Sequence, residues 1–501
     1  MASDSDTPVL GTELNLTQEQ VNSYNEALMD YGLYVMSESV PLVLDTSLLT
    51  ADDKDALSNS SPMCNICVNP LQAIRAWALL SLTAAGKTAK AAKKFLRRLM
   101  GGLVSEDELI HGTLRALHAL MGERKPPSAC LRLFVEHQPA VPVKKDVLAE
   151  INFYYGSIKN PRSVFVETGF AGDDDGLASI ARINAEVEES TGGRVNFVVR
   201  EDNGPNRRAQ MVLVSASDCT FFWRFDGKRG PLQRCQFYDT SASDIDAMSY
   251  IEVWPCEGLF RYSSSDGEQL LELESYEEGF KLYLYKTKGT KLTTKAFLQA
   301  IDTQLGAKSQ LKVCVPRPPV MCPLRMSECT NKKKSKYGFC RIFDREKSDL
   351  TGIFYRSHSF YPYFITLWEH YHKARFIIES EKPESVDKRP KSAFVGSKLN
   401  CTVEQRLLRK KYQKEVAPAR CEKLNLYKYY DCEPKDLTVI NPHTPQIEPP
   451  HLDDTYVRFD MPFFFMVTKE GPFGRIVQCI GRFNNVSAVH RSTGKSGSVD
   501  V

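Results

Sequence analysis

Three short groups of residues have types and spacings that could support chemistry. Cys64-Asn-Ile-Cys67 carries two thiols at a spacing found in zinc sites, but no second pair of cysteines follows at a suitable distance to complete four ligands. Gly86-Lys-Thr88 matches the end of a phosphate-binding loop, but Ser81 stands where that loop requires a glycine. His370 and His372 would lie on one face of a strand, without a third histidine or a carboxylate at a spacing that suggests a metal site. We therefore predict structural thiols and imidazoles, with no metal site and no nucleotide site.

The signatures of common hydrolases are also missing from the sequence. It contains no Gly-x-Ser-x-Gly nucleophile elbow and no His-Glu-x-x-His zinc motif. The 501 residues are 42% hydrophobic and 25% charged, which is typical of a globular protein with a large core. The net charge of +3 is too small to indicate a polyanion as the partner of the whole protein. These observations predict a globular protein that is not an enzyme and needs no cofactor.

The elements that would position these groups begin with helices. Thr17-Gln-Glu-Gln20 has the spacing of a capping box and predicts a helix through Met36. Pro70 is placed to begin a second helix and Gly86 to end it, and Arg75 is the only charged residue between them. Such a helix is apolar nearly all round and should be buried centrally. A basic helix is predicted from Lys87 to Met100.

Two apolar runs near the end of the sequence predict a buried strand hairpin. They are Val457–Thr468 and Arg475–Phe483, and the segment 469–474 between them contains two glycines and a proline. The runs do not alternate between apolar and polar residues, so both faces of each strand should be buried. A hairpin of this kind must insert into a core formed by earlier residues.

This hairpin also carries a family resemblance. Asp460-Met-Pro-Phe463, the aromatic strand and Gly481-Arg-Phe483 resemble the closing signature of serpins. Motifs similar to those of serpins occur in the family order from about residue 20 to residue 485, although Glu186 stands where the family has tryptophan. The positions that match family motifs are Asn69, Pro70, Asn184, Thr191, Gly193, Trp223, Gly352, Pro462, Phe463, Gly481 and Arg482.

The resemblance implies an α+β serpin fold, with three β-sheets and roughly nine helices in a single large domain. Residues 1–19 would form an N-terminal extension, 20–486 the serpin-like domain and 487–501 a flexible tail. Residues 379–455 would be an enlarged reactive-centre loop. By the same resemblance the partner would be a serine protease and the protein a monomer. Met1–Asp6 is polar and acidic and does not resemble a signal peptide, so we expect a cytoplasmic protein, with extracellular location by unconventional secretion as the alternative.

The reactive loop decides which mechanism the resemblance implies. In serpins a protease cuts this loop, which then inserts as an extra strand into the large sheet. A buried strand excludes proline and unpaired charge. Here the loop hinge contains Glu381, Pro383, Asp387, Lys388, Arg389 and Pro390. We therefore predict a non-inhibitory serpin, and the alternative is a suicide inhibitor of a trypsin-like protease with its reactive bond at Ser397-Lys398.

The enlarged loop contains a basic segment compatible with a helix, Val403–Val416. Its cations are Arg406, Arg409, Lys410, Lys411 and Lys414. This segment could make the protein a binding scaffold that docks an acidic partner, which includes nucleic acid or a sulfated glycan. The alternative that we favour is a solvated insertion, because basic runs usually form solvated faces.

Overall fold

The computed structural model describes residues 16–38, 65–103, 107–122, 128–136, 143–156, 164–167, 170, 177–196, 198–199, 204–205, 209–238, 249–265, 267–287, 292–318, 320–333, 335–355, 365–380, 455–471 and 474–484. Over these ranges the chain forms eight α-helices and three β-sheets in the single α+β fold that the sequence predicts. The helices are α1 Gln18–Glu38, α2 Pro70–Ser81, α3 Gly86–Leu99, α4 Asp107–Met121, α5 Lys145–Tyr155, α6 Leu177–Ser190, α7 Thr294–Gln299 and α8 Met326–Thr330.

The strands are β1 Ile66–Val68, β2 Ala129–Glu136, β3 Val164–Glu167, β4 Met211–Asp218, β5 Phe221–Phe222, β6 Lys228–Arg229, β7 Gln233–Phe237, β8 Ser249–Ser265, β9 Glu268–Glu274, β10 Phe280–Lys286, β11 Ser309–Pro316, β12 Val320–Arg325, β13 Leu367–Phe376, β14 Ile378–Glu379, β15 Val457–Arg458, β16 Phe463–Gly471 and β17 Gly474–Phe483.

The first helix begins with the capping box that the sequence predicts. The Thr17 backbone N–H donates to Oε1 of Gln20 over 2.9 Å, and the Gln20 N–H donates to the Thr17 hydroxyl over 3.3 Å. The indole of Trp77 on α2 donates to the Tyr31 hydroxyl on α1 over 2.8 Å, which joins the two helices. None of the helices in the described ranges is long and apolar enough to cross a membrane.

The ten-stranded sheet is built around the C-terminal hairpin. Its order is β1-β17-β16-β10-β9-β8-β11-β15, with β6 and β7 also paired to β8. Strand β16 lies between β10 and β17, and its first six residues are fully buried. The prediction of a buried hairpin is confirmed for β16 and β17, but the predicted strand Val457–Thr468 is wrong at its start, because Val457–Arg458 forms the separate strand β15 beside β11 and β16 begins only after Pro462.

The other two sheets are smaller. The five-stranded sheet has the order β12-β13-β4-β2-β3, and β14 pairs with β5 in a two-stranded sheet. Helix α2 contacts β2 and β4 of the five-stranded sheet and β17 of the ten-stranded sheet. Every residue from Pro70 to Leu80 is buried, including Arg75, as the apolar pattern predicts.

One predicted helix boundary is wrong. Helix α2 ends at Ser81, and Gly86 begins α3 instead of ending α2. The prediction relied on the preference of glycine for helix C-termini, but Gly86 has φ of +52° at the start of the next helix. Residues 82–85 form the connection, in which the Thr83 N–H and hydroxyl both donate to the Leu80 carbonyl.

Candidate functional site

The central feature of the five-stranded sheet is the parallel pair formed by β4 and β13. The pair is aligned from Met211 opposite Leu367 to Asp218 opposite Arg375, with a register shift near the Leu367 end. Strands β2 and β12 pair antiparallel on the two outer sides. All eight residues of β4 are buried. A polar side chain on this strand must therefore find its partner within the protein.

Ser215 connects the two central strands near their middle. Its hydroxyl lies 2.8 Å from Nε2 of His370 and 2.8 Å from Nδ1 of His372. The Asn69 backbone N–H donates to Nε2 of His372 over 3.2 Å, which ties the network to the start of α2. Burial lowers the pKa of His372 to about 3. Burial and the neighbouring His372 lower the pKa of His370 well below its ordinary value. Both imidazoles are therefore neutral hydrogen-bonding groups at physiological pH.

A buried ionic cluster, which we call the clasp, joins the same strands at their carboxyl ends. It consists of Asp218, Arg375, Arg194 and Thr220. Asp218 Oδ1 lies 2.7 Å from Arg375 and accepts a 2.7 Å hydrogen bond from the Thr220 hydroxyl. Asp218 Oδ2 lies 3.2 Å from Arg194, and a further 2.7 Å contact joins Arg375 to Thr220. The carboxylate is completely buried, while the Arg375 side chain is 12% exposed.

The electrostatics of the clasp favour the charged carboxylate. Burial raises the pKa of Asp218, but Arg375 and Arg194 lower it more, and the net result lies below the ordinary value. Asp218 and Arg375 occupy opposite positions on β4 and β13, so their ion pair spans the boundary between the strands. The clasp therefore holds the carboxyl ends of β4 and β13 together.

Strand β13 leaves the sheet next to this clasp. Its continuation Ile378–Glu379 pairs with Phe221–Phe222, and the Trp223 N–H donates to the Glu379 carbonyl over 2.7 Å. Arg317 lies 3.0 Å from the Glu379 carboxylate and 3.3 Å from Glu252. This anchored exit precedes residues 381–454, and the chain returns at β15, which pairs parallel to β11.

Two of the motif positions predicted near α2 have defined structural roles. Asn69 caps α2, because its side chain accepts a 2.9 Å hydrogen bond from the Gln72 N–H, and Pro70 follows as the first helical residue. Gly352 approaches the end of α2, where its N–H donates to the Thr83 carbonyl over 2.9 Å. A Cβ at Gly352 would lie 2.8 Å from that oxygen, so this contact requires glycine.

The matched positions in and after α6 fasten this helix to its surroundings. The Asn184 side chain bonds both the N–H and the carbonyl of Val199, at 3.0 and 2.8 Å. The Thr191 hydroxyl donates to the Val187 carbonyl over 2.8 Å, and Gly193 has φ of +79° in the turn after the helix. Glu186, which replaces the family tryptophan, lies 2.9 Å from Arg132 of β2. A buried ion pair thus occupies the position where the family motif has an aromatic side chain.

The remaining matched positions form the aromatic core beside the hairpin. Trp223 is 1% exposed and stacks on Phe225 at 5.1 Å, and Phe463 is completely buried. Pro462 is half-buried and precedes Phe463 at the start of β16. A Cβ at Gly481 would collide with the Phe465 ring and the Ile66 carbonyl. The Arg482 guanidinium lies 5.1 Å from the centroid of the Phe464 ring.

The phosphate-loop resemblance at Gly86-Lys-Thr88 has a structural explanation. The segment does begin a helix, but the Thr88 hydroxyl accepts a 2.9 Å hydrogen bond from the Asp349 N–H. A Cβ at Gly86 would lie 3.6 Å from the Asp349 carboxylate, so an acidic group faces the place that a phosphate would need. Among the residues that the structure describes, no group of three or more His, Cys, Asp or Glu could hold a metal ion.

Comparison with protein families identifies the chain. A family model described as serpin (serine protease inhibitor) matches residues 50–388, which is more than half of the sequence. The chain belongs to the serpin family. Serpins generally inhibit serine proteases and are not catalysts, and non-inhibitory members such as ovalbumin exist.

Solved serpin structures share this fold at low sequence identity. Native protease nexin-1 with heparin is 14% identical, with 93% of this chain and 100% of that chain covered and a TM-score of 0.58. Uncleaved ovalbumin is 15% identical, with coverages of 92% and 99% and a TM-score of 0.59. The thermophilic serpin tengpin in its native state is 13% identical, with coverages of 95% and 96% and a TM-score of 0.61. Comparison with curated protein sequences gives no match.

The loop residues that the sequence singles out lie outside the described residues of this serpin. They are Glu381, Pro383, Asp387, Lys388, Arg389, Pro390, Ser397, Lys398, Arg406, Arg409, Lys410, Lys411 and Lys414. Their predicted roles stay predictions.

Sequence reasoning missed the clasp. The available signal was Asp218, the one charged residue of strand β4, whereas Arg375 is one of three charged residues in β13, together with Glu369 and Lys373. A buried charge needs a partner, but a single sequence does not indicate which of many opposite charges supplies it.

Proposed function

We propose that this serpin binds serine endopeptidases, or is cleaved by them, without trapping them in a covalent complex. The observation that carries the proposal is the clasp between β4 and β13. In the family mechanism the cleaved loop inserts as an extra strand into a β-sheet, and we assign its position to the boundary between the parallel strands β4 and β13 of the five-stranded sheet. Insertion there must separate Asp218 from Arg375, which are 2.7 Å apart, and must also break the contact of Ser215 with His372.

The energetic cost of that separation supports the proposal. Breaking a buried ion pair by removing one partner costs about 3–5 kcal/mol, because the remaining charge stays in a poorly hydrated place. An inserted strand would need to carry groups that replace the lost partners. The sequence instead supplies Pro383 and Pro390, which lack a backbone N–H, and the adjacent charges Asp387, Lys388 and Arg389. The sheet and the loop therefore both oppose insertion.

Limited cleavage with trypsin tests this proposal. The protein is cut briefly, the cut is mapped by mass spectrometry to residues 381–420, and its melting temperature is compared with that of the uncut protein. We expect an unchanged or lower melting temperature, and no complex with trypsin that survives denaturing electrophoresis. A large rise in melting temperature after cleavage would refute the proposal, because it shows that the loop has inserted.

A matched variant separates the contribution of the loop from that of the sheet. It replaces Pro383, Asp387, Lys388, Arg389 and Pro390 with alanine, and leaves the described sheet unchanged. If cleavage now raises the melting temperature, loop composition alone prevents insertion in the natural protein. If the melting temperature still does not rise, the clasp is sufficient to keep the sheet closed.

A second candidate function is a suicide inhibitor of a trypsin-like protease. It is favoured by the direct pairing of β4 with β13, which leaves the described sheet with five strands and no loop segment between its central pair. A covalent complex with trypsin, cleaved at Ser397-Lys398, would establish this function in place of the first. Cytoplasmic location, a monomeric state and docking of an acidic partner by residues 403–416 are further proposals that rest on the sequence.

A further inference from the structure

Helix α3 carries positive charge along its exposed side. Its 14 residues include six lysines and arginines and no acidic residue. Five of these cations are exposed, and we call them the basic stripe: Lys87, Lys90, Lys93, Lys94 and Arg97. The buried residues of the helix are Thr88, Ala92, Phe95, Leu96 and Leu99. Because each residue of a helix turns by about 100°, the two sets lie on opposite sides, and the stripe faces away from the core.

The basic stripe is straight and long enough to follow a polyanion. At a rise of about 1.5 Å per residue, the distance along the helix from Lys87 to Arg97 is about 15 Å. Double-stranded DNA carries one negative charge per ~1.7 Å of its axis, so the same length presents about nine phosphates. A duplex that lies along α3 therefore offers more phosphates than the stripe has cations.

The basic stripe destabilises the helix that carries it. Its members follow one another at intervals of three and four residues, where like charges on a helix repel. Lys87 lies in the first turn, where the helix dipole disfavours a cation. Ala85 at the N-cap provides no side-chain hydrogen bond, and the first turn contains no acidic residue, so neither offsets this repulsion. A face that served only solubility would not need charges of a single sign.

The segment next to the stripe differs, because its cations have acidic partners within the protein. The Arg98 guanidinium donates to the Lys336 carbonyl over 3.1 Å, so this segment lies beside the C-terminal end of α3. Lys336 pairs with Asp30 at 3.5 Å, and Lys332 pairs with Glu38. Both acidic residues belong to α1. The fold therefore neutralises this neighbouring segment from α1.

Three lysines of the stripe lack such partners. Among the residues that the structure describes, no acidic side chain forms an ion pair with Lys87, Lys90 or Lys94. The nearest acidic group at the start of the helix is Asp349, whose carboxylate would lie 3.6 Å from a Cβ at Gly86. An anionic ligand would therefore lie along the side of α3 and not at its N-terminus.

We propose that the basic stripe of α3 binds the phosphate backbone of double-stranded nucleic acid. A straight row of cations on a rigid helix fits a stiff polyanion, and DNA has a persistence length of about 50 nm. The stripe contains no aromatic residue to stack on unpaired bases and no large apolar residue to enter a lipid layer. Contacts of this kind position the protein on a duplex without reading its sequence.

The salt dependence of binding tests this assignment. The full-length protein is titrated into a fluorescent DNA duplex of about 20 base pairs, and anisotropy gives the Kd between about 50 and 200 mM salt. The test variant replaces Lys87, Lys90 and Lys94 with glutamine. Each lost phosphate contact lowers the slope of log K against log salt by about 0.9. Over this fourfold range, three contacts correspond to about a 40-fold greater loss of affinity in the natural protein than in the variant.

A matched variant controls for net charge. It replaces Lys228, Lys308 and Lys312 of the ten-stranded sheet with glutamine, which removes the same three charges. We expect this control to keep the affinity and the salt slope of the natural protein. All six lysines are exposed, so both variants should fold, and equal melting temperatures check this. Equal weakening of duplex binding in the two variants would overturn the proposal.

Further arms of the experiment separate other sites and other partners. A third variant replaces the cations of the enlarged loop with glutamine: Arg406, Arg409, Lys410, Lys411 and Lys414. Duplex binding that needs these cations and not the stripe would overturn the proposal. So would the absence of duplex binding at about 50 mM salt. Stripe-dependent binding of a heparin fragment or of phosphatidylserine vesicles, without binding of the duplex, would also overturn it. No protease or loop cleavage is involved, so the result is independent of the function proposed above.

Discussion

Asp218→Asn tests the clasp most directly. The substitution keeps the size of the side chain but removes the carboxylate that joins Arg375 and Arg194, which lie 2.7 and 3.2 Å from it. The carboxylate that both guanidinium groups share in this buried site is then lost. Loss of one partner of a buried ion pair costs about 3–5 kcal/mol, so we expect the free energy of unfolding to fall by that amount.

This loss is large enough to measure by thermal unfolding. At about 2 cal/mol/K per residue, the unfolding entropy of a chain of this length is roughly 1 kcal/mol/K, so a loss of ~4 kcal/mol lowers the melting temperature by about 4 °C. Asp226→Asn is the matched control, because Asp226 pairs with Arg224 at 3.3 Å with side chains that are 80% and 54% exposed. An exposed pair of this kind contributes little, so this control should leave the melting temperature nearly unchanged.

The acid side of the stability profile provides a second measurement on the same variant. The folded pKa of Asp218 is depressed, so its contribution is present above the unfolded pKa of about 3.9 and is lost as the pH falls through the folded pKa. The stability difference between the natural protein and Asp218→Asn should therefore narrow below about pH 4. If Asp218→Asn lowers the free energy of unfolding by less than ~1 kcal/mol at neutral pH, the view that the clasp holds β4 and β13 together is refuted. An ion pair exposed on the surface contributes up to about that amount.

The remaining predictions concern buried groups and one close backbone approach. Between pH 6.5 and about 3 the unfolded chain binds a proton at His372 while the folded protein does not, and the lowered pKa of His370 acts in the same direction below pH 6.5. Stability should therefore fall by about 1.4 kcal/mol per pH unit for each residue, and His372→Gln should reduce this slope in urea titrations at several pH values. Arg75→Met should raise the urea midpoint and stabilise the fold by about 1–4 kcal/mol. The Arg75 guanidinium is buried, its Nε has no hydrogen-bond partner, and burial lowers the pKa of Arg75 to about 10. Gly352→Ala should cost about 1–3 kcal/mol in thermal unfolding, because the new methyl group collides with the Thr83 carbonyl.

Each of these predictions has a control or an opposing outcome. An unchanged pH slope in His372→Gln would show that the imidazole also titrates in the folded protein. Destabilisation by Arg75→Met would mean that the Gln72 contact at 3.2 Å outweighs the cost of burying the charge. For Gly352→Ala the matched control is Gly306→Ala, because a Cβ at Gly306 meets no atom within 4 Å. Equal losses in the two alanine variants would refute the steric argument.

Local sequence patterns predict much of this fold. The capping box at Thr17, the buried helix after Pro70 and the C-terminal hairpin follow from spacing and polarity over short stretches, where local physics dominates. The helix boundary at Gly86 fails because glycine with positive φ occurs both at helix ends and in the turn that begins the next helix.

The polar networks of the site are not predictable in the same way. Ser215 and His370 are 155 residues apart, and Asp218 and Arg375 are 157 apart. Their proximity depends on the parallel register of β4 and β13, which no short-range pattern specifies.

The position of the C-terminal hairpin has a consequence for biosynthesis. Strand β17 pairs with β1 at Ile66–Val68, so one of the earliest strands to leave the ribosome finds its partner among the last. Until residues 463–483 emerge, β1 and β10 both lack a neighbour in the ten-stranded sheet, and unpaired strand edges promote association between chains. The ten-stranded sheet can therefore be completed only after residues 463–483 have been made, and β1 and β10 keep an unpaired edge until then.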